Sequence, residues 1–187
     1  MIVVEGCDGA GKSTLVRWIC NEFGLEEGHR RTSNRDEIYR TTRIDTYAAI
    51  YNELMCDFPA RVWDRLGAWS DPIYAPLMGR ECAFSHRELN AISMMMSALA
   101  CPLIVCLPKF AAVEDNVRRT HQIKAASEHI DKIYSAYSDL RGVTLFFNYE
   151  RDDFQSVKHT ISKYLQRRKE REDIANHSGS LQSRVGS

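Results

Sequence analysis

The stretch that most constrains this chain is "IVVEGCDGAGKSTLVRWIC", residues 2 to 20. Ile2 to Glu5 form an apolar run ending in an acid, the pattern of a strand inside a parallel sheet covered on both faces. Three glycines follow, Gly6, Gly9 and Gly11, and then Lys12 and Ser13 open a run that carries Leu15, Val16 and Ile19 at helical spacing. A buried strand, a glycine loop and an amphipathic helix in that order leave few architectures open.

The loop reads Gly6-Cys7-Asp8-Gly9-Ala10-Gly11-Lys12-Ser13. This is G-x-x-x-x-G-K-[ST], the P-loop, in the strand–loop–helix context the motif requires. Glycines permit backbone angles that turn successive N–H groups inward as an anion nest. The helix beginning at Lys12 adds the positive end of its dipole. Lys12 reaches the outer phosphates, and Ser13 supplies one oxygen to a magnesium shell. ATP with Mg2+ is the expected ligand, held by Gly6, Asp8, Gly9, Ala10, Gly11, Lys12, Ser13 and Thr14.

Composition removes several alternatives. The 187 residues suit one domain, long enough to bury about 70% of the unfolded surface without a metal or disulfide staple. Lysine plus arginine and aspartate plus glutamate each total 25, so the formal net charge is zero, which counts against a dedicated polynucleotide binder. The six cysteines form no C-x-x-C pair and the histidines are scattered, which argues against zinc. Cys7, Cys20, Cys101 and Cys106 lie in or beside apolar runs and read as reduced thiols of a cytoplasmic protein. The opening strand leaves no room for a signal peptide. The uncharged stretch from Asn90 to Pro108 approaches membrane-spanning length, but Pro102 divides it into a buried helix and a buried strand, so no membrane is expected.

The remaining pattern alternates strands and helices. Strands are expected at 2–5, 29–33, 60–64, 102–107 and 143–148. Helices are expected at 12–23, 36–57, 86–100, 111–121, 125–140 and 153–167. In 36–57 the apolar set is Ile44, Tyr47, Ile50, Tyr51 and Leu54. In 125–140, Tyr134 and Tyr137 share a side with Ile130 and Ile133 and read as core. Met94, Met95 and Met96 read as core filler. This order implies an α/β fold, a P-loop NTPase three-layer α/β/α sandwich with a parallel sheet of about five strands. Residues 1–167 form the domain, with a lid segment near 109–125. Residues 168–187 turn charged and then Ser/Gly-rich, and read as a disordered tail.

Catalysis at a phosphate loop also needs an acid tied to magnesium. "LIVCLPK" ends without one, whereas "ARVWDRL" ends in Asp64 followed by Arg65. Asp64 faces either the magnesium shell, with Ser13, or the acceptor. Arg65 can clamp an acceptor phosphate with its planar fork. The plainer alternative is a surface ion pair at a turn. The guanine-selective N-K-x-D signature is absent.

"VEGCDGAGKSTL" resembles the opening of thymidylate kinases, and "WDRLGAWSDPIY" is similar to that family's Asp-Arg signature. Thymidylate-kinase-like phage and bacterial proteins share its longer form with a Y-x-P, here Tyr74-Ala75-Pro76. The resemblance implies that Asp8 contacts the acceptor sugar and that Asp64 and Arg65 serve the acceptor side. It also implies a catalytic arginine in a closing lid, for which "NVRRTHQIK" offers Arg118 and Arg119. Such an arginine offsets charge on the transferred phosphoryl group; the alternative is a solvated helix face. The loop 148–153 lies where such kinases seat the adenine. Members often pair through helices, so a homodimer is an implied partner.

The family's R-E-P-G-G segment is missing; "RRTSNRDEIYR" stands in its place. One extra residue also precedes Ser70. Both departures concern the acceptor. Three readings therefore stand: a nucleoside monophosphate kinase with dTMP or another (deoxy)pyrimidine nucleotide as acceptor, a kinase acting on a hydroxymethyl pyrimidine in phage DNA, and a non-catalytic nucleotide-binding module. The DNA reading draws on a basic strip of Arg30, Arg31, Arg35, Arg40 and Arg43.

Overall fold

A computed structural model describes residues 1–28, 38–55, 59–120 and 128–182; the side chains of 38–42, 120 and 178–182 are not described. Its centre is β1 (Ile2–Glu5), in which all four residues are buried. A strand buried on both faces must have a neighbour on each edge. β1 has β3 (Arg61–Asp64) on one side and β4 (Leu103–Cys106) on the other, both parallel to it. β2 (Glu26–Glu27) and β5 (Leu145–Phe147) complete five parallel strands in the order β2-β3-β1-β4-β5.

Around the sheet, the described residues form seven helices. These are α1 (Lys12–Phe23), α2 (Ile38–Met55), α3 (Gly67–Leu77), α4 (His86–Ala98), α5 (Phe110–Thr120), α6 (Ile130–Ser138) and α7 (Phe154–Gln182). The strand order reverses direction at β1. In open parallel sheets that reversal opens a crevice beyond the carboxyl ends of the strands. The register sets Val4 beside Asp64 and Glu5 beside Val105, so the carboxyl ends of β1, β3 and β4 are level.

Local chemistry explains the main helices. α1 starts after Gly11 at φ 83° and stops at Gly24 at φ 63°, with Leu15, Val16 and Ile19 buried as expected. α4 begins with a capping box between Ser85 and Glu88. α3 lies outside the expected helices, and it holds two prolines, Pro72 and Pro76, which lack the N–H a helix interior uses. Tertiary contacts outweigh them. Ala68, Tyr74 and Ala75 are buried on this helix, and the buried Asp71 accepts from Ala83 N at 2.6 Å and pairs with Arg80 at 2.5 Å.

Four further placements follow. The second strand is Glu26–Glu27, pairing with Arg61 and Val62; 29–33 lies outside the described residues. α2 turns Thr46, Ala49, Ile50 and Glu53 inward, while Ile44, Tyr47, Tyr51 and Leu54 face out. Met96 is buried as filler, but Met94 is 74% exposed. The stretch from 168, expected to be disordered, continues α7 to Gln182. The reason is electrostatic: buried Glu53 of α2 takes Arg168 and, at 2.8 Å, Arg171. Charged residues that looked like a tail are the partners of a buried acid. Residues 183–187 lie outside the described residues. No described helix is long and apolar enough to cross a membrane.

Glu53→Ala leaves the nearly buried Arg168 without this carboxylate. Removing one member of a buried pair costs about 3–5 kcal/mol. The expected result is a fall of that order in unfolding free energy in urea, with Glu53→Gln recovering part of it.

Candidate active site

The phosphate loop sits where three strand ends meet, and its glycines are required by close approach. A Cβ on Gly6 would stand 2.6 Å from the Cys106 carbonyl oxygen, and Gly6 has φ 139°. A Cβ on Gly9 would meet the Val113 carbonyl at 3.0 Å, and one on Gly11 would meet the Tyr149 ring at 3.1 Å. The loop is therefore packed from β4, from α5 and from the segment after β5. Ala10 N–H donates to the Cys7 carbonyl at 3.3 Å, and Thr14 N–H to the Gly11 carbonyl at 3.2 Å.

Lys12 is buried, and its Nζ donates to the Cys7 carbonyl at 2.7 Å. Burial, then the positive charge of Arg65, hold its pKa below the ordinary lysine value; Asp8 and Asp64 pull the other way. A polyanion bound at the loop would favour the charged form. Burial pushes the Cys7 thiol up to about 11 and Cys106 up to about 12, so neither is a nucleophile at neutral pH.

Ser13 Oγ donates to Asp64 Oδ2 at 2.5 Å. Residues 51 positions apart thus bring two hard oxygen donors together at the mouth of the loop, as the parallel register of β1 and β3 requires. Among the described residues no group of three or more His, Cys, Asp or Glu could hold a metal by itself. A Ser–Asp oxygen pair beside a polyphosphate fits Mg2+, which keeps most of its shell as water and phosphate oxygen.

Arg65 adopts φ 68°, left-handed for a non-glycine residue, a conformation worth about 1–3 kcal/mol of strain. Its N–H donates to the Val4 carbonyl at 2.9 Å, so β1 holds the strained turn. The turn aims the guanidinium back at the loop. Nη2 donates to Asp8 Oδ1 at 2.6 Å, to Tyr74 OH at 2.7 Å and to the Gly6 carbonyl at 3.3 Å. The guanidinium carbon lies 4.8 Å from the Tyr74 ring centroid. Burial opposes its charge, but Tyr74, Tyr137 and Asp8 outweigh burial and raise its pKa. Tyr74 OH also donates to Asp8 Oδ2 at 3.3 Å. The Asp64-Arg65 dipeptide is therefore not a surface pair: the arginine is half-buried against the loop.

Three groups escaped the sequence reading. Glu5 is fully buried; Oε1 accepts Leu66 N–H at 2.6 Å and Oε2 accepts Tyr137 OH at 2.9 Å. It anchors the residue after Arg65 and ties it to α6. Its one sequence signal was an acid closing an apolar strand. Asn116 Nδ2 donates to the Gly9 carbonyl at 2.9 Å and to Tyr149 OH at 3.2 Å. No periodicity marks Asn116 or Tyr149.

The other expected residues are placed as follows. Arg118 and Arg119 are exposed on α5, with Arg118 3.9 Å from Glu114. Residues 121–127 of the lid segment lie outside the described residues. Tyr137 is core; Tyr134 is half-buried and donates to the Pro108 carbonyl at 2.8 Å. Of the basic strip, 30, 31 and 35 lie outside the described residues, the side chain of Arg40 is not described, and Arg43 pairs with Glu88.

Asn116→Ala removes the bond that orients the Gly9–Ala10 peptide. One such bond is worth about 1 kcal/mol, so nucleotide triphosphate affinity should fall about 3- to 10-fold with an unchanged melting temperature. Titration calorimetry reads this directly.

No family model and no curated protein matches the sequence. Solved structures do match the fold. One is the YorR protein of Bacillus subtilis in complex with phosphorylated GDP, at TM-score 0.57 and 15% identity, covering 88% of this chain and 95% of that one. Another is deoxyadenosine kinase from M. mycoides with dCMP and dCDP, at TM-score 0.53 and 14% identity, covering 88% and 98%. The five-stranded parallel sheet with its flanking helices is the α/β fold shared with these structures.

Proposed function

We propose that the chain transfers the terminal phosphoryl group of ATP to a nucleoside monophosphate, with a (deoxy)pyrimidine nucleotide such as dTMP the first acceptor to test. The observation that carries this reading is Arg65. A strained turn aims a half-buried guanidinium at the phosphate loop, beside the Ser13–Asp64 oxygen pair. A structural ion pair needs no such placement.

The roles follow from position. The loop amides and Lys12 hold the donor phosphates. Ser13 and Asp64 hold Mg2+, which when bound offsets charge on the donor phosphates. Asp8, Arg65 and Tyr74 face the acceptor, Asp8 toward its sugar and Arg65 toward its phosphate. α5 forms the lid. Arg119, three residues beyond Asn116, shares the loop side of that helix, whereas Arg118 leans on Glu114. Arg119 is the better candidate to meet the transferred group. The tyrosine–asparagine contact over Gly11 supports reading 148–153 as the loop beside the donor base.

A second reading has a specific observation in its favour. Nη2 of Arg65 is already engaged by Asp8 and Tyr74. A neutral hydroxyl can join that cluster without adding charge, whereas a phosphate there would sit beside the Asp8 carboxylate. An uncharged deoxynucleoside is then the acceptor, as the name of the M. mycoides deoxyadenosine kinase suggests for that protein.

The test is ADP release from ATP and Mg2+ with one acceptor per assay. The set contains each nucleoside, each monophosphate and DNA carrying 5-hydroxymethyluracil. Turnover with a monophosphate supports the first reading and turnover with a nucleoside the second. Turnover only with DNA, or none with ATP still bound, overturns both. Lys12→Ala should lower turnover about 10²- to 10³-fold with the fold intact. Arg65→Ala should raise the acceptor KM about 10- to 100-fold while that for ATP moves little. Arg119→Ala should lower kcat more than Arg118→Ala does.

A further inference from the structure

Two exposed rings flank one face of α1. The Tyr149 ring lies against its start, where a Cβ on Gly11 would meet ring carbons at 3.1 and 3.2 Å. Phe154, the first residue of α7, stacks on Trp18 with 4.4 Å between centroids and lies 5.3 Å from Phe147. Gly11, Thr14 and Trp18 are three and then four residues apart, so they share one face of α1. That face runs about 10 Å from Gly11 to Trp18. Thr14 at its middle is exposed, as are Tyr149 at 39% and Phe154 at 36%. The loop that joins the two rings spends its polar groups on itself. Asn148 N–H donates to Asp152 Oδ2 at 2.9 Å and Glu150 N–H to Asn148 Oδ1 at 3.0 Å. The Arg151 and Asp152 N–H groups donate to the Asn148 carbonyl at 3.0 and 2.7 Å. Asp152 Oδ1 takes Arg151, Asp153 Oδ1 takes Gln155 N–H, and Glu150 Oε2 takes Lys109 N–H. Four amides that could read the edge of a base are thus used inside the loop, while the rings beside it stay open.

We infer that these rings hold the donor base by its face and not by its edge, so that the chain takes ATP, GTP, CTP and UTP alike as phosphoryl donors. Every base has a π face, and stacking therefore tolerates all four. Selecting one base requires hydrogen bonds directed at its edge, and the loop amides that could supply them are already engaged. The triphosphate is the part all four donors share, and the phosphate loop anchors it. The exposed Thr14 face of α1 leads from that anchor to the rings. Purines, with the larger ring system, should stand slightly ahead of pyrimidines.

Donor tolerance rests on the phosphoryl-transfer reading, and a binding test keeps the two apart. The full chain with Mg2+ is titrated in a calorimeter with ATP, GTP, CTP, UTP and inorganic tripolyphosphate, which carries no base. The four nucleotides should bind within about 10-fold of one another, and each about 10-fold or more tighter than tripolyphosphate. Phe154→Ala should weaken all four by about 10-fold and leave tripolyphosphate unmoved. Phe154→Leu keeps an apolar side chain against Trp18 and Phe147 but has no π face, and it gives the same reading if Phe154→Ala unfolds. One nucleotide bound more than about 10-fold tighter than all the others overturns the inference, because its edge is then being read. Nucleotides no tighter than tripolyphosphate also overturn it, with the phosphate loop still a triphosphate site. Equal binding that the folded Phe154 variants leave unchanged overturns it as well. If neither tripolyphosphate nor any nucleotide binds, the inference and the phosphoryl-transfer reading fall together.

Discussion

The site depends on one buried carboxylate. Glu5 ends the central strand with no solvent contact, and both of its oxygens are used: one by the Leu66 backbone, one by the Tyr137 hydroxyl. Burying an acid without such partners costs several kcal/mol, so the partners must stay where they are. The bond to Leu66 holds the chain just beyond Arg65, and the Arg65 N–H bond to Val4 holds it just before. Between these two anchors the backbone is forced into the left-handed region. The strain is local, and its result is an arginine that turns back onto the loop.

The phosphate loop is held with similar economy. Three of its carbonyls accept from side-chain donors. Lys12 serves the Cys7 carbonyl, Arg65 reaches that of Gly6, and Asn116 serves that of Gly9. Each donor comes from a different element: α1, the turn after β3, and α5. An event at the loop is therefore felt by Arg65 and by α5 together. Tyr149, bonded by Asn116 and set over Gly11, brings the segment after β5 into the same unit.

Much of this was legible in advance. The strand–glycine–helix order, the loop residues Gly6 to Ser13, and Asp64-Arg65 at a strand end all follow from local pattern. So do the strands at 2–5, 61–64, 103–106 and 145–147, whose apolar runs are short and bounded. What pattern could not separate was which apolar or charged residues face inward. Ile44, Tyr47, Tyr51 and Leu54 have helical spacing, the usual mark of a core face, yet the core side of α2 holds Thr46 and Glu53. Arg168 and Arg171 looked like solvated charge until Glu53, over a hundred residues away in sequence, appeared as their partner.

The sequence by itself determined the parallel α/β class and the position of the phosphate loop, because both depend on the period of short segments and on glycines at set intervals. The tertiary structure alone decided three things: that α3 forms despite Pro72 and Pro76, that Glu5 and Asn116 belong to the site, and that α2 carries an apolar outer face. Each depends on contacts between residues far apart in the chain. Burial of a carboxylate, support for a proline-bearing helix and donation to a loop carbonyl are fixed by where distant elements pack, and no local pattern carries that information.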